Sequence, residues 1–319
     1  VHHRDIMSFK NPAETFAAVE AAGIKKSKIV YHKLIMQGFC AGAYIGVGGL
    51  FAVMVGGGVP AMKATDAQGT ALPMVGVQKL LFGGVFPVGL MATIFTGAEL
   101  FTGNCMCLVA PLVTGKIKLS GLLYNWILSY LGNFIGSVAM AACLAYYTGL
   151  MEADPWNSVI KAIADGKCDP DNHTWGRLFW RGVGCNWLVC LAVWQAIAAT
   201  DIGSKIWAIW WPIAAFVAIG FEHCVANMFF IPSGIFYGAE TANWGNFLYW
   251  NLPAVTLGNI VGGGLFIGMY YAYVFGDGMF PQLRKKKAAK EEDAQEPEEM
   301  EEVVLEPAAE EEVTEEPAQ

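Results

Sequence analysis

Two short stretches of this chain follow one pattern and interrupt long apolar runs. Residues 97–104 read GAELFTGN and residues 220–227 read GFEHCVAN, so both follow Gly-x-Glu-x4-Asn, 123 residues apart. Residues 125–136 and 251–262 also share a pattern, Asn-x6-Gly-Asn-x2-Gly, at an offset of 126 residues. Two echoes at nearly one offset indicate an internal duplication of about 125 residues. A carboxylate beside a glycine inside an apolar run is typical of a broken membrane helix that faces a cavity.

The composition is that of a polytopic membrane protein. The 319 residues are 55% hydrophobic and only 15% charged, whereas a soluble domain carries roughly 25% charged residues. The net charge of −8 is concentrated at one end, since residues 291–319 hold 14 of the 28 acidic residues and neither Lys nor Arg. The eight cysteines lie mostly in or beside apolar runs, so they predict neither a disulfide framework nor a metal site. We expect no cofactor.

Hydropathy predicts an all-α membrane protein with six transmembrane helices, of which the second and the fifth are broken. The spans cover about residues 31–55, 79–113, 119–148, 175–200, 205–235 and 247–275. We divide the chain into an N-terminal cytoplasmic or interfacial segment, a first three-helix repeat, a polar outer connection, a second three-helix repeat and a basic-then-acidic tail. Their bounds are 1–30, 31–148, 149–174, 175–283 and 284–319. Residues 11–22 fit either a helix at the membrane interface or an ordinary cap helix, and we expect the Glu-rich tail to be disordered.

Lysines and arginines gather on one side of these spans. They precede the first span, separate the second from the third and the fourth from the fifth, and follow the sixth: Lys25, Lys26, Lys28, Lys116, Lys118, Lys205 and Arg284–Lys287. By the positive-inside rule this side is cytoplasmic, or stromal or matrix in an organelle, and it carries both termini. Arg177 and Arg181 on the opposite side are the main exception. The plasma membrane is favoured, and a plastid envelope is the alternative.

The two breaks are expected to meet near the middle of the membrane. Three spans per repeat place the two repeats in opposite orientations, and the free amides at each half-helix start favour an anion or a polar oxygen. We expect Glu99 and Glu222 to cap these amides rather than to touch a transported molecule. His223 lies in the second break, where the first repeat has Leu100. An ionisable group at this depth predicts a functional role, and the alternative is a neutral histidine that only holds the fold.

Four segments resemble the formate/nitrite transporter family. They read TGAELFTG at 96–103, CNWLVCLAVW at 185–194, GFEHCVANM at 220–228 and PAVTLGN at 253–259, and the likeness covers about residues 10–275. The resemblance implies an aquaporin-like inverted repeat and a homopentamer with one pore in each protomer. It also implies transport of small monovalent anions or their acids. Within the family the cargo is formate, nitrite, lactate, hydrosulfide or, in some algal members, bicarbonate.

The resemblance assigns pore residues by position. It implies two apolar constrictions, a loop whose threonine faces the central His223, and two asparagines that flank the pore. Phe86 and Leu90 are assigned to one constriction, and Val189 and Phe216 to the other. The loop comprises Leu100, Phe101 and Thr102, and the asparagines are Asn186 and Asn259. Taken without the resemblance, each apolar member would be assigned to the core.

One position departs from the family pattern. Family members often carry a vestibule lysine four residues before the threonine that opens the fourth span. Here that threonine is Thr174 and the position is Pro170. We assign the vestibule role to Lys167, three residues earlier. The alternative is that other basic residues of this side attract anions: Arg177, Arg181 and Lys161.

The predicted function is transport of small monovalent anions, with nitrite or formate favoured and bicarbonate, lactate or hydrosulfide as alternatives. Moving a bare anion from water into an apolar constriction costs on the order of several kcal/mol of desolvation free energy. Passage as a neutral acid, proton-linked through His223, is therefore favoured over passage of the anion itself. The expected partners are the anions, protons and the lipid bilayer, with no nucleic acid.

Other classes of protein fit the sequence less well. The chain contains no phosphate-binding loop and no catalytic triad pattern, so an enzyme is not expected. A neutral-solute pore of the aquaporin type is the alternative from another class, but the breaks carry Glu in place of an Asn-Pro-Ala pair. A scaffold that recruits partners through the acidic tail could coexist with transport.

Overall fold

Ten helices make up most of the described chain. The computed structural model describes residues 9–59, 63–65, 71–171, 173–276 and 278–281. In chain order the helices are α1 (Pro12–Lys26), α2 (Tyr31–Gly56), α3 (Val75–Thr96), α4 (Phe101–Val113), α5 (Leu119–Tyr146), α6 (Trp156–Cys168), α7 (Trp175–Ala198), α8 (Ile202–Ile219), α9 (Cys224–Phe236) and α10 (Asn246–Phe275). The end of α5 and two parts of α10 are π-helical.

Eight of these helices correspond in position to the six predicted spans. Five helices, α2, α3, α5, α8 and α10, are long and apolar enough to cross a membrane. Helix α7 has 24 residues but is less apolar, because it carries two arginines and three tryptophans within Trp175–Trp187. The short apolar helices α4 and α9 continue α3 and α8 after the breaks. The prediction of an all-α fold with the second and fifth spans broken is therefore confirmed.

Glycine ends the first half of each broken span. Gly97 has φ 72° and Gly220 has φ 91°, the left-handed conformation that only glycine adopts without a steric cost. Each glycine is the C-cap of the first half-helix, and the second half-helix begins four residues later. The glycine of the repeated Gly-x-Glu-x4-Asn pattern is thus the residue that makes the break.

The glycines of the second repeated pattern let whole spans pack backbone to backbone. A Cβ on Gly136 of α5 would lie 2.0 Å from the Phe39 carbonyl oxygen of α2. A Cβ on Gly262 of α10 would lie 2.2 Å from the Val183 carbonyl oxygen of α7. Small residues at helix crossings are the usual means of close packing in membranes. Spans one and three, and spans four and six, therefore form equivalent pairs in the two repeats.

The polar connection before α7 contains a helix that hydropathy does not predict. Helix α6 buries Ile160, Ala164 and Cys168, one residue per turn, and packs against α9. Lys161, Asp165 and Lys167 keep its average hydropathy below that of a span, so hydropathy alone does not find the helix, although Val159, Ile160, Ile163 and Ala164 follow helical spacing. The prediction also omits two three-residue strands, Lys63–Thr65 and Ala71–Pro73, which pair antiparallel.

Helix α1 precedes the first span and packs against the half-helix α4. Asn11 and Glu14 form a capping box at its start, and Phe16 and Val19 bury one face against α4 and its neighbours. Helices α1 and α6 thus occupy matching roles, because each packs against the half-helix that follows a break. The predicted basic-then-acidic tail, 284–319, lies outside the described residues.

Candidate functional site

The two breaks meet through a hydrogen bond between Thr102 and His223. The Thr102 hydroxyl oxygen, in the first turn of α4, lies 3.0 Å from Nε2 of His223, the N-cap residue of α9. Nδ1 of the same ring accepts a hydrogen bond from the backbone N–H of Ala226 at 3.0 Å. Because a backbone N–H only donates, Nδ1 carries no hydrogen, and a neutral ring carries its hydrogen on Nε2. The breaks therefore present an imidazole N–H toward Thr102.

A closed apolar constriction lies beside this hydrogen bond. A cavity of only about 10 Å³ is enclosed by six residues of the predicted pore and by two further isoleucines. The predicted six are Phe86, Leu90, Leu100, Val189, Phe216 and His223, and the additional two are Ile45 and Ile213. The ring of Phe216 lies 5.9 Å from that of Phe86 and 5.8 Å from the imidazole of His223. The residues predicted for two separate constrictions therefore line one narrow space, which holds one water molecule at most.

Two larger cavities flank the constriction, and we name each after its lysine. The Lys167 vestibule has a volume of about 300 Å³ and has Lys167, Glu222 and His223 in its wall. The Lys26 vestibule has a volume of about 400 Å³ and has Lys26 and Glu99 in its wall. Each vestibule therefore combines a lysine with the carboxylate of one break, and Lys25 also lines the Lys26 vestibule.

A ring of four residues holds the charge of the Lys167 vestibule. The Lys167 ammonium lies 2.8 Å from Oε2 of Glu222, a residue that is only 3% exposed. The Asn227 amide donates to the same oxygen at 2.7 Å and to the side-chain oxygen of Asn251 at 2.9 Å. The Asn251 amide then donates to the Lys167 carbonyl at 2.9 Å. A buried carboxylate is tolerated only when it is paired and hydrogen-bonded in this way.

The Lys26 vestibule repeats this arrangement with its own four residues. Lys26 lies 2.6 Å from Oε1 of Glu99, which is 4% exposed. The Asn104 amide donates to the other carboxylate oxygen and to the Asn125 side chain, both at 2.9 Å, and the Asn125 amide donates to the Lys26 carbonyl at 3.1 Å. Each ring therefore contains one lysine, the Glu and the Asn of the first repeated pattern, and the first Asn of the second repeated pattern.

The prediction that Glu99 and Glu222 cap the half-helix amides is wrong in its partners. Both carboxylates bond to lysine and asparagine side chains instead. The first N–H of α4 donates to the side-chain oxygen of Asn133 at 2.9 Å, and the first N–H of α9 donates to that of Asn259 at 2.9 Å. A neutral amide oxygen satisfies these donors and leaves the carboxylate free to pair with a cation.

Asn186 and Asn259 lie behind the constriction rather than in its wall. The Asn186 amide donates to the Thr102 carbonyl at 3.1 Å and to the Asn259 carbonyl at 2.6 Å. The Asn259 amide donates to the carbonyls of Gly182 at 2.8 Å and Glu222 at 3.0 Å. These asparagines therefore position the two breaks relative to α7 and α10.

Phe101 does not join the other predicted pore residues. Its ring packs edge-on against Trp126 and Tyr130 of α5, with centroid distances of 5.8 and 4.9 Å. Leu100 is the extended residue before α4 and lines the constriction, whereas Phe101 begins the helix and its side chain faces α5. Phe101, predicted as a pore residue of the loop beside Thr102, therefore packs against α5 instead.

Sequence reasoning missed three residues of the site. From the sequence, Lys26 indicates only which side of the membrane is cytoplasmic. In the structure it ends α1 and pairs with Glu99. Ile45 and Ile213 are ordinary apolar residues of α2 and α8 and carry no local signal. Within the described ranges, no group of three or more His, Cys, Asp or Glu side chains could hold a metal ion. The arrangement offers charge pairing, hydrogen-bond donors and one imidazole.

Comparison with known proteins identifies the family. The profile of the formate/nitrite transporter family matches residues 13–273. A probable formate transporter of Methanothermobacter thermautotrophicus is 49% identical over 280 residues, which are 84% of this chain and 98% of that protein. The formate channel BtFdhC of Bacillus thuringiensis is 39% identical over 265 residues, covering 83% of this chain and 95% of that one.

Solved structures of the same kind are similar in fold. An FNT family ion channel superimposes with a TM-score of 0.70 at 30% identity and covers 82% of this chain and 98% of its own. A pentameric formate channel with formate bound has a TM-score of 0.67 at 35% identity and covers 77% of this chain and 97% of its own. These likenesses extend over both repeats and both breaks. This chain is an integral membrane protein that belongs to the formate/nitrite transporter family.

Proposed function

We propose that this protein carries formate across a membrane and that the substrate crosses the constriction as the neutral acid. The observation that carries the proposal is the layout of the site. Two vestibules, each with a lysine paired to a buried glutamate, are separated by an apolar constriction at the Thr102–His223 hydrogen bond. Formate is favoured over nitrite because the similar proteins named above are formate transporters or channels.

Electrostatics make the neutral acid the easier species to move. The anion enters a vestibule, where the ammonium N–H groups of the paired lysine can donate to it as well as to the glutamate, and it loses hydration as it approaches Phe86, Leu90 and Phe216. Loss of water disfavours the charged form of a carboxylate and raises its affinity for a proton. The substrate takes a proton from vestibule water, crosses next to the Nε2–H of His223, and releases the proton to water on the far side. One anion and one proton thus move together.

The rival mechanism passes the anion itself. The neutral ring of His223, which accepts from Ala226 and carries its hydrogen on Nε2, offers a donor to a carboxylate oxygen. The half-helix starts of α4 and α9 add the positive end of a helix dipole. This route needs no proton, so it predicts a current at equal pH on the two sides.

Orientation and assembly follow from the same considerations. The positive-inside rule places the Lys26 vestibule on the cytoplasmic side, together with the start of α1, and the Lys167 vestibule on the outside. The similar pentameric formate channel supports a homopentamer with one route in each protomer. Membership of this family favours an anion pathway over a neutral-solute pore.

Uptake of labelled formate into proteoliposomes tests the proposal. With the interior buffered at pH 7.5, uptake should rise steeply as the external pH falls to 5.5, and an internal pH dye should report one proton per formate. Protein-free vesicles correct for diffusion of formic acid through lipid, and labelled glycerol tests for a neutral-solute pore. A formate current at symmetrical pH without proton movement would establish the rival mechanism, and preference for nitrite in competition would correct the substrate.

A further inference from the structure

A second histidine, His173, lies in the wall of the Lys167 vestibule and is not used in the proposed pathway. It precedes α7 and lines the same cavity as Lys167, Glu222 and His223. Its backbone N–H donates to the Asp169 carbonyl at 2.9 Å, and its carbonyl accepts from the Trp250 indole N–H at 3.1 Å. The residue is therefore fixed at the mouth by the segment before α7 and by α10.

The ring contacts of His173 define its protonation state. Nδ1 lies 2.6 Å from the Gly166 carbonyl oxygen of α6, which only accepts, so Nδ1 carries a hydrogen. Nε2 contacts Nη1 of Arg181 in α7, and a guanidinium only donates. Nε2 must therefore be the unprotonated acceptor. The contacts fit neutral His173 and no other state.

Protonation of His173 would break its contact with Arg181. An added proton resides on Nε2, where it faces a guanidinium N–H, so two donors of like charge would oppose each other. Arg181 would then lose its acceptor on the ring, and the imidazolium would add one positive charge to the wall of the vestibule. Lys167 is already paired with Glu222 at 2.8 Å. His173 and Arg181 are therefore the groups that change the charge that an arriving anion meets.

We propose that His173 and Arg181 form a proton-responsive capture site for small monovalent anions at the mouth of the Lys167 vestibule. In the neutral state His173 holds Arg181 aside. In the protonated state Arg181 is free to bind a carboxylate with two parallel N–H donors, the geometry that guanidinium favours. This inference rests on the proposed function, since it assumes that an anion enters here.

Burial and the neighbouring charges set the pH at which His173 gains a proton. The charged groups that act on the ring are Arg181 of α7, Glu222 of the second break and Lys167 of α6. The other ionisable residues near it in the chain are Asp165, Asp169, Asp171 and Arg177. The carboxylate of Asp165 accepts hydrogen bonds from the backbone N–H groups of Thr241 and Ala242. Helix α10 contributes the uncharged Trp250. Burial, and next the charge of Arg181, hold the pKa of His173 below its usual value, so the captured state forms on the acid side of about pH 6.5.

Equilibrium exchange of labelled formate, with equal pH inside and outside proteoliposomes, tests the site. The measured quantity is the KM of His173→Gln divided by the KM of the unaltered protein, because protonation of formate itself cancels in this ratio. Glutamine can donate to Gly166 and accept from Arg181 but cannot gain charge. The ratio should rise about threefold to fivefold as pH falls from 7.5 to 5.0, the size expected of one exposed charge. His32→Gln, at the exposed start of α2, is the matched control and should give a flat ratio.

A double-mutant cycle assigns the effect to Arg181. The rise caused by His173→Gln should shrink when Arg181→Gln is present, and a full rise in that background would overturn the release of Arg181. A ratio that stays constant over this pH range would overturn the whole inference. If His173→Gln does not insert, the unaltered protein decides: its KM should depend more on salt at pH 5.0 than at pH 7.5, and equal dependence would overturn the inference. Absence of formate exchange by the unaltered protein at every pH would instead refute the proposed function.

Discussion

Removal of Asn259 should destabilise the second break more than any exposed substitution. Its side chain accepts from the first N–H of α9 and donates to the carbonyls of Glu222 and Gly182, and all three bonds are 3.0 Å or shorter. The Gly182 carbonyl lies within α7 and keeps its helical partner, so Asn259→Ala leaves two groups without their main partner. At about 1–3 kcal/mol for each buried group, we expect a loss of roughly 2–6 kcal/mol. His223 precedes the released N–H, so formate uptake should fall as well.

The assay is thermal unfolding of the purified protein in detergent, followed by tryptophan fluorescence, with formate uptake measured on the fraction that inserts. Asn133→Ala is the equivalent change in the first repeat, because Asn133 makes the same three bonds to the first N–H of α4, to Glu99 and to Gly38. Asn246→Ala is the control, since its side chain makes one exposed bond and its removal should change stability by less than about 0.5 kcal/mol. Equal unfolding temperatures for Asn259→Ala and Asn246→Ala would refute the reasoning.

Three further predictions concern charge, protons and packing. His223→Asn should insert normally but alter the pH dependence of formate uptake, because Asn keeps polarity and cannot hold a proton; unchanged uptake from pH 5 to 8 would remove His223 from the mechanism. Lys167→Met leaves the buried carboxylate of Glu222 unpaired and should cost roughly 3–5 kcal/mol in thermal unfolding, and adding Glu222→Gln should recover most of that loss; no recovery would contradict the charge argument. Gly262→Ala should reduce the yield of folded protein, because its Cβ would meet the backbone of α7 at 2.2 Å, whereas Gly76→Ala, with nothing within 4 Å, should not; equal yields would show that the two spans can separate without cost.

Much of the fold could be predicted from the sequence because the membrane makes its requirements local. A span must be long and apolar, a break needs a glycine with a left-handed conformation, and close helix packing needs small residues. Each requirement acts on a few neighbouring residues, so each leaves a readable pattern. Helix α6 meets none of these requirements, since it is shorter than a span and less apolar, although Trp156, Val159, Ile160, Ile163 and Ala164 do recur with helical spacing.

The candidate site is predictable only in part, because its contacts join residues that are far apart in the chain. The repeated pattern marked Glu99, Glu222 and the asparagines that follow them, but their bonding partners come from helices α1 and α6, 73 and 55 residues away. Lys26 and Lys167 therefore cannot be assigned to these carboxylates by spacing. The resemblance to the family assigned Phe86, Leu90, Val189 and Phe216 to two constrictions, which the structure joins in one narrow space, and it did not distinguish Leu100, which lines that space, from Phe101, which faces α5.

The sequence by itself determined that the chain is a duplicated membrane protein with two broken spans, and it placed the breaks within residues 97–104 and 220–227. Hydropathy and backbone conformation depend on residue type and near neighbours, which is why these features could be derived without coordinates. Only the tertiary structure decided which carboxylate pairs with which lysine, which amide is held by which asparagine, and which of two adjacent side chains faces the route. Those choices depend on distances of about 3 Å between segments that are brought together only when the two repeats pack against each other.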